Sequence, residues 1–455
     1  MILSTTNSSA IHARRMTCCE GHVSCQNHVS FHSTVLEKAG VTNEDRRSPL
    51  RSAAVARVSW KRFFLPTLLL ILSAGIVLRI YPSAAFKGVG FDEGLYKGYV
   101  TALVEHGMTS YPDISEQYVA IQSRLPSAIL PPTRFLYIFA AYLWHQCFGS
   151  EALASLHAIS IVFSILLLLL STLFAWRLGG RAIALGVAAL MACAPTQIHM
   201  SQHALIDGFF AFWALLCLWL LWENLRHPDN PRWLIPYAFA LALLVLTKEN
   251  AFFAFFALVV LLAANHWLRF GSITRTLLAM TLVGPLIGVA ILVNLCGSLE
   301  TTYQIYLLLV RKASVLPYAI ATGDGPWYRY LVDLMLVSPT ILVLAIGAAF
   351  LVRRSDTAAL YLLIFVAASY AVMANVRYGM NLRYTNMWDM PLRYLSVLGL
   401  MRLGSGLNRF PQVWPALAVV TVCLLELHQY QVLFVKAPLY ELVTEGLLRA
   451  VHILK

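Results

Sequence analysis

Charged residues are scarce in this chain of 455 residues: they make up 12% of the sequence, whereas 59% of the residues are hydrophobic. The mean hydropathy is +0.68. A soluble globular domain carries about 25% charged residues, so this composition excludes an ordinary water-soluble protein. The sequence therefore predicts a polytopic membrane protein whose main solvent is lipid.

Signals of two other kinds of function are also lacking. The sequence has no basic helix with interleaved aromatic residues, so its formal net charge of +12 does not indicate a nucleic-acid partner. Cysteines of the apolar region lie in or beside hydrophobic stretches without the spacing of paired ligands, at Cys147, Cys193, Cys217, Cys296 and Cys423. We expect these cysteines to pack in the core or to face lipid.

The first part of the chain differs in composition from the rest. Residues 1–62 are rich in Ser, Thr, His and Arg and have no apolar period, which predicts a disordered cytoplasmic tail. Thiols and imidazoles in this tail lie at short spacings that suit a tetrahedral zinc ion, at Cys18, Cys19, His22, Cys25, His28 and His32. A segment without function is the open alternative. Residues 63–455 are predicted to form the transmembrane domain.

Apolar runs of membrane-spanning or nearly spanning length begin at residue 63 and predict about eleven transmembrane helices. They cover residues 63–80, 152–176, 182–198, 205–222, 233–246, 251–268, 276–295, 331–352, 358–373, 390–401 and 413–434. The sequence therefore predicts an all-α integral membrane fold.

Basic residues predict how these helices are oriented. Lys61 and Arg62 precede the first span, which places the N-terminus in the cytoplasm. The segment 135–148 is apolar but short; if it does not cross, the later basic loops all face the cytoplasm, and if it crosses, they all face outside. We therefore predict a juxtamembrane or re-entrant helix in a first extracytoplasmic loop, residues 81–151, and a second large outer loop, residues 296–330.

Charged residues that topology does not explain lie on the predicted outer side. Asp92 and Glu93 open a predicted amphipathic helix, and their position suits either a helix N-terminus or a catalytic carboxylate pair. His203 and Asp207 are four residues apart and share one helix face, although Asp207 could also be a simple cap. We predict that these side chains converge.

Further candidates lie in later outer loops. Lys248 and Glu249 interrupt two apolar segments with almost no spacer, and such charges in a membrane are usually functional. Arg383 and Tyr384 lie near two other arginines, Arg377 and Arg393, where positive-inside statistics disfavour basic residues. An arginine cluster on the outer side beside lipid indicates a bound phosphate.

In order and context, these residues resemble the polyprenyl-phosphate-dependent glycosyltransferases of the C superfamily, which include protein O-mannosyltransferases and aminoarabinose transferases. The matching pieces are the pair Asp92-Glu93, the proline-led segment 131–137 with the Phe-Gly turn at 148–151, the aromatic segment 205–213, the turn Leu246-Thr247-Lys248 and the segment 381–384. Each piece is weak alone, but the ordered set is specific. Aminoarabinose transferases carry a Lys where this chain has Pro131 or Pro132, so a phosphate-binding role there either passes to Arg134 or Arg124 or is absent.

The resemblance implies a GT-C-like helical bundle in a bacterial inner membrane, with its active site on the extracytoplasmic face. It implies a sugar donor linked to polyprenyl monophosphate, a lipid, glycan or protein acceptor, and transfer with inversion. Asp92 is the candidate general base, and Glu93 would orient the acceptor or a metal. Lys248 and Arg383 would stabilise the leaving phosphate.

Other residues receive supporting roles in this hypothesis. Arg134 and Arg311 are reserve phosphate ligands, and His203 and Asp207 would organise the pocket floor beside Glu249 and Tyr384. No cofactor is expected to be required, although a divalent cation at the carboxylates is possible in this mechanism.

Two alternatives stay open at this point. A transporter or lipid flippase would use the charges of the outer side as a substrate gate, but such folds usually contain two related halves, and the sequence has no such repeat. An O-antigen ligase or polymerase would use a diphosphate donor and depend on a large later outer loop. The donor chemistry discriminates between these classes.

Overall fold

The computed structural model describes residues 60–81, 88–126, 129–315, 320, 323–377, 380–405 and 413–454. Within these ranges the secondary structure is helical without β-strands, so the all-α prediction is confirmed. The predicted tail, with its possible zinc ligands, lies outside the described residues.

The first helix is α1 (Trp60–Ile80). Three helices that are not among the candidate membrane spans follow it: α2 (Phe91–His106), α3 (Tyr111–Arg124) and α4 (Phe135–Phe148). Helix α4 occupies the same residues as the predicted juxtamembrane segment and ends at Gly149, whose φ of 65° is left-handed. At 14 residues α4 is short for a membrane crossing, which requires about 20 residues.

The longest helix, α5 (Ala152–Ala192), is two helices joined at a kink. Gly180 adopts φ 78° there, a conformation that glycine reaches without steric cost. The kink falls between the two spans predicted at 152–176 and 182–198. Pro195 opens the short helix α6 (Pro195–Ser201), so the second of these apolar runs is interrupted before its end.

The remaining α-helices follow in chain order. They are α7 (Ile206–Arg226), α8 (Pro231–Val245), α9 (Ala251–Leu268), α10 (Arg275–Leu295), α11 (Leu299–Ala313), α12 (Arg329–Val337), α13 (Pro339–Leu351), α14 (Thr357–Met373), α15 (Asp389–Ser405), α16 (Val413–Tyr430) and α17 (Thr444–Ala450). Among the described residues, six helices are long and apolar enough to cross a membrane by length and composition alone. The predicted count of about eleven also needs shorter apolar helices such as α8, α13 and α14.

Small residues bring α8 and α10 into close contact. A Cβ atom at Gly284 would lie 2.6 Å from the Ala238 carbonyl oxygen, and one at Gly288 would lie 2.5 Å from that of Ala242. Glycines four residues apart let transmembrane helix backbones approach closely. This pair therefore fixes the position of α8, whose C-terminal end leads to Lys248.

A buried ion network supports the segment that carries Arg383. Arg393 on α15 binds Asp389 and Glu426, each at 2.7 Å, and Asp389 also accepts a hydrogen bond from Thr196 at 2.7 Å. The network joins α15 to α16 and α6, directly after the 3₁₀ turn Leu382–Trp388. Arg393 is thus part of the scaffold, and the prediction that it belongs to an arginine cluster with Arg377 and Arg383 is wrong.

Charged side chains collect at the two ends of the bundle. Arg177 binds Glu223 at 2.7 Å near the C-terminal end of α7, and Arg402 binds Asp356 at 2.6 Å. These residues belong to loops predicted to face the cytoplasm. Asp207, at the opposite end of α7, lies among the residues predicted to face outside.

Candidate active site

The acidic pair lies in the first turn of α2, and its two members have different surroundings. Glu93 is buried: its Oε2 accepts from the Gly90 backbone N–H at 2.8 Å, and its Oε1 accepts from the Ala204 N–H at 2.8 Å and from His203 Nδ1 at 3.2 Å. Burial alone would raise the pKa of Glu93, but these hydrogen bonds hold it below its usual value. Glu93 thus fixes the start of α2 against the segment before α7.

Asp92, by contrast, is half-buried and faces Arg383. Arg383 Nη2 donates to Asp92 Oδ2 at 3.0 Å, and Arg383 Nε lies 3.9 Å from Asp207 Oδ2. The start of α2 and the turn before α15 therefore meet at this guanidinium group.

Lys248 forms the second charged pair of the site. Its Nζ donates to Asp207 Oδ1 at 2.6 Å and lies 3.9 Å above the centre of the Tyr384 ring. Burial lowers the pKa of Lys248 to about 8; the Asp207 carboxylate opposes this shift, and the guanidinium groups of Arg134 and Arg383 add to it. Lys248 is consequently a buried cation that loses its proton at mildly alkaline pH.

Arg134 is fully engaged by protein groups. Its Nε and Nη2 donate to Glu249, with Nη2 at 3.0 Å from Oε2, and its Nη1 donates to the Tyr96 hydroxyl at 2.7 Å. The Leu136 backbone N–H also donates to the Leu246 carbonyl at 2.9 Å. These bonds attach the start of α4 to the turn between α8 and α9.

Two further basic residues that the sequence suggested, Arg311 and Arg377, also lie outside the cluster. Arg311 is exposed on α11, and the structure brings none of the candidate acids to its guanidinium group. Arg377 is exposed and lies 3.7 Å from Asp324. The cluster therefore contains Asp92, Glu93, His203, Asp207, Lys248, Glu249, Arg383, Tyr384 and Arg134, but not Arg311.

Sequence reasoning missed two residues that lie after the last predicted span, Tyr440 and Glu441. Glu441 Oε1 lies 3.4 Å from Arg383 Nη2, and its Oε2 accepts from Asn381 Nδ2 at 2.9 Å. Tyr440 packs its ring edge-on against His203, with ring centres 5.1 Å apart. The only signal in the sequence was that Tyr440 and Glu441 form a short polar pair just beyond the last predicted span. Nothing in the sequence links this pair to Arg383.

Arg383 has hydrogen-bonding capacity left over. Its side chain is only 6% exposed, yet Nε and Nη1 donate no hydrogen bond to any residue that the structure describes. A buried guanidinium donor without a partner costs free energy. An anion that accepts from these nitrogens would recover it, and phosphate has the required geometry.

The arrangement places a carboxylate, Asp92, against the buried cation Arg383, and Asp207 lies between Arg383 and a second buried cation, Lys248. Such a site can accept a proton from a hydroxyl group and stabilise an anionic leaving group in the same step. Within the described ranges, no three side chains of His, Cys, Asp or Glu converge as metal ligands. The expectation about cofactors stays a prediction.

Solved structures show similarity in fold. The oligosaccharyltransferase of Archaeoglobus fulgidus superposes with a TM-score of 0.55 and 15% sequence identity, covering 82% of this chain and 56% of that one. ArnT of Cupriavidus metallidurans has 15% identity over 87% of this chain and 74% of its own, with a TM-score of 0.45. In a comparison with curated proteins, no sequence matches the chain.

The sequence itself matches one family model. Residues 69–302, just over half of the chain, match the family described as dolichyl-phosphate-mannose-protein mannosyltransferase. The match begins in α1 and ends in α11, so it includes the acidic pair, Asp207 and Lys248. A family of transferases excludes the transporter alternative. The chain therefore belongs to the dolichyl-phosphate-mannose-protein mannosyltransferase family and is a membrane glycosyltransferase with the GT-C fold.

Proposed function

We propose that this protein transfers a sugar from a polyprenyl monophosphate donor to an acceptor hydroxyl with inversion at the anomeric carbon. The observation that carries the proposal is the pairing of Asp92 with Arg383, a buried cation whose Nε and Nη1 donate no hydrogen bond to any described residue. A base beside an anion-binding group is what displacement at a phosphate-linked sugar requires. The family description, which names a dolichyl-phosphate-linked sugar, supports the same donor class.

In the proposed step, the acceptor oxygen attacks the anomeric carbon from the face opposite the phosphate. The acceptor proton passes to the carboxylate of Asp92. The bond between the anomeric carbon and the phosphate oxygen breaks, and its electron pair stays on the phosphate. The donor phosphodiester carries one negative charge, whereas the released monoester carries about two at neutral pH.

Positive charge at the leaving phosphate is therefore needed more than a general acid. Arg383 would donate Nε and Nη1 to the phosphate while Asp92 holds Nη2. Lys248 would add a second charge from its place between Asp207 and the Tyr384 ring. These two residues supply the electrostatic stabilisation that a metal supplies elsewhere, so we propose transfer without a required cofactor.

The other residues of the cluster would act by positioning Asp92, Arg383 and Lys248. Glu93 accepts bonds at both oxygens, which favours a role in positioning Asp92 over direct contact with acceptor or metal. His203 binds Glu93 and shares that role. Arg134 and Glu249 neutralise each other and hold α4 in place, which leaves Arg383 and Lys248 as the phosphate ligands.

The acceptor is a lipid, glycan or protein, and the site faces the extracytoplasmic side of a bacterial inner membrane in this proposal. Residues 63–455 would form one transmembrane transferase domain after the tail, with the site built from the loop 81–151, the segments 203–207 and 248–249, and the later segments 381–384 and 440–441. This assignment follows from the positive-inside orientation of the basic loops.

The test is transfer of radiolabelled sugar from a panel of polyprenyl monophosphate donors by purified protein in detergent. Asp92→Asn should lower the rate by at least about 100-fold, the contribution of a general base. It should still bind undecaprenyl phosphate. Asp113→Asn is the matched control, since Asp113 lies in the first turn of α3 and outside the cluster.

Full activity of Asp92→Asn would remove Asp92 as the base. Transfer from diphosphate donors, with none from monophosphate donors, would instead assign the protein to the diphosphate-dependent class.

A further inference from the structure

The C-terminal segment, residues 437–443, is held against the site from several directions. The Tyr440 carbonyl accepts from His199 Nε2 at 3.1 Å, and the Tyr440 ring packs against His203. The same ring lies so close to Gly90 that a side chain at that position would collide with it. The segment is therefore fixed relative to α6 and to the start of α2.

These contacts place the charge of Glu441 at a defined point beside Arg383. Asn381 Nδ2 donates to Glu441 Oε2 at 2.9 Å, and Asn381 Oδ1 accepts from the Arg383 backbone N–H at 3.0 Å. Glu441 Oε1 then lies 3.4 Å from Arg383 Nη2, the same nitrogen that binds Asp92. Glu441 cannot move far from Arg383 without losing its bond to Asn381.

The charges around Arg383 do not balance. Asp92, Asp207 and Glu441 all lie within ion-pair distance of its guanidinium group, whereas Lys248 is the cation paired with Asp207. Among the described residues that pair in this way, three negative charges thus face two positive ones. A site selected only for tight phosphate binding would not hold an additional carboxylate next to Arg383, whose Nε and Nη1 donate no hydrogen bond within the described part of the chain.

A carboxylate in this position has different effects on donor and product. Coulomb repulsion is proportional to the charge of the ligand. The donor is a phosphodiester with one negative charge, and cleavage of its bond to the sugar leaves a phosphomonoester with about two. Repulsion from Glu441 therefore acts about twice as strongly, in free energy, on the product as on the donor.

We propose that Glu441 makes the site discriminate phosphate groups by charge, so that it weakens binding of polyprenyl phosphate more than binding of the donor and promotes product release. This inference rests on the proposed function, because it requires a monophosphate donor at Arg383. Glu441 has no part in bond breaking; it acts on the ligand through space.

The test compares two lipids that differ in charge and need no sugar: undecaprenyl phosphate and its methyl ester, a phosphodiester. Their dissociation constants are measured at pH 7.5 in detergent for wild type and Glu441→Gln, which removes the charge and retains an oxygen that can accept from Asn381. Loss of the repulsion should tighten binding of the monoester about tenfold and of the diester about threefold, since the first change is about the square of the second.

The control is Glu445→Gln, which removes the same charge from an exposed residue of α17 that pairs with Arg449 at 2.9 Å. It should leave both constants unchanged. If Glu441→Gln does not fold, Glu441→Ser gives the same comparison.

Equal changes for the two lipids, or weaker monoester binding in Glu441→Gln, would overturn the inference and leave the proposed function standing. Failure of the wild-type protein to bind either lipid would overturn the proposed function and the inference with it. Under turnover, Glu441→Gln should also show stronger inhibition by undecaprenyl phosphate than Glu445→Gln.

Discussion

Lys248 combines a cationic role with a buried position. The side chain lies between the Asp207 carboxylate and the Tyr384 ring, and burial brings its pKa down to about 8. Below this pH the amine is charged and can hold a phosphate; above it the amine becomes neutral. The proposed donor site therefore depends on pH in a range where arginine does not titrate.

The expected result is that kcat/KM for the donor falls as pH rises through about 8, by about tenfold for each further pH unit. Lys248→Arg should flatten this alkaline limb, because a guanidinium group keeps its charge there. The measurement is the pH profile of transfer for both proteins. An alkaline limb that is the same in both would assign the titration to another group.

The sequence is sufficient to predict which side chains share one end of the bundle, but not which of them pair. Asp92, Asp207, Lys248 and Arg383 follow from the order of spans and the placement of basic loops. The bonds from Lys248 to Asp207 and from Arg383 to Asp92 depend on how each helix is rotated and tilted. Those quantities are determined by packing between segments far apart in sequence, which a single sequence does not reveal.

At the level of single elements, the sequence predicts what local signals determine and misses what depends on contacts with residues far away in the chain. The bounds of α4 agree with the predicted segment because its signals are local: an apolar run of fixed length that ends at a left-handed glycine. The segment carrying Glu441 was missed because it has no periodicity, and its contacts to Asn381 and His199 are distant in sequence.

The contact between α8 and α10 can be tested with a matched pair of glycine substitutions. Alanine favours a helix over glycine by about 1 kcal/mol. Gly347→Ala on α13 should therefore raise the melting temperature, since a Cβ there would have no atom within 4 Å. Gly288→Ala should lower it, because its Cβ would lie 2.5 Å from the Ala242 carbonyl oxygen. Equal shifts in thermal unfolding would mean that α8 and α10 are not in close contact.

At the scale of the whole molecule, the two ends of the bundle carry different chemistry. One end holds isolated ion pairs such as Arg177 with Glu223, which belong to the basic loops predicted to face the cytoplasm. The other end holds the connected cluster around Arg383. The contact of Glu441 with this cluster places the C-terminal segment at the same end as the start of α2.

The orientation of the whole bundle depends on whether α4 crosses the membrane. If it does not, Ser123 on α3 and Glu445 on α17 face outside, and Ser355 between α13 and α14 faces the cytoplasm. Each is replaced singly by cysteine in a Cys147→Ser background, and intact cells are treated with a membrane-impermeant maleimide. Labelling is expected at positions 123 and 445 but not at 355. If α4 crosses the membrane, every later segment changes sides. Position 123 would then still be labelled, position 355 would be labelled as well, and position 445 would not.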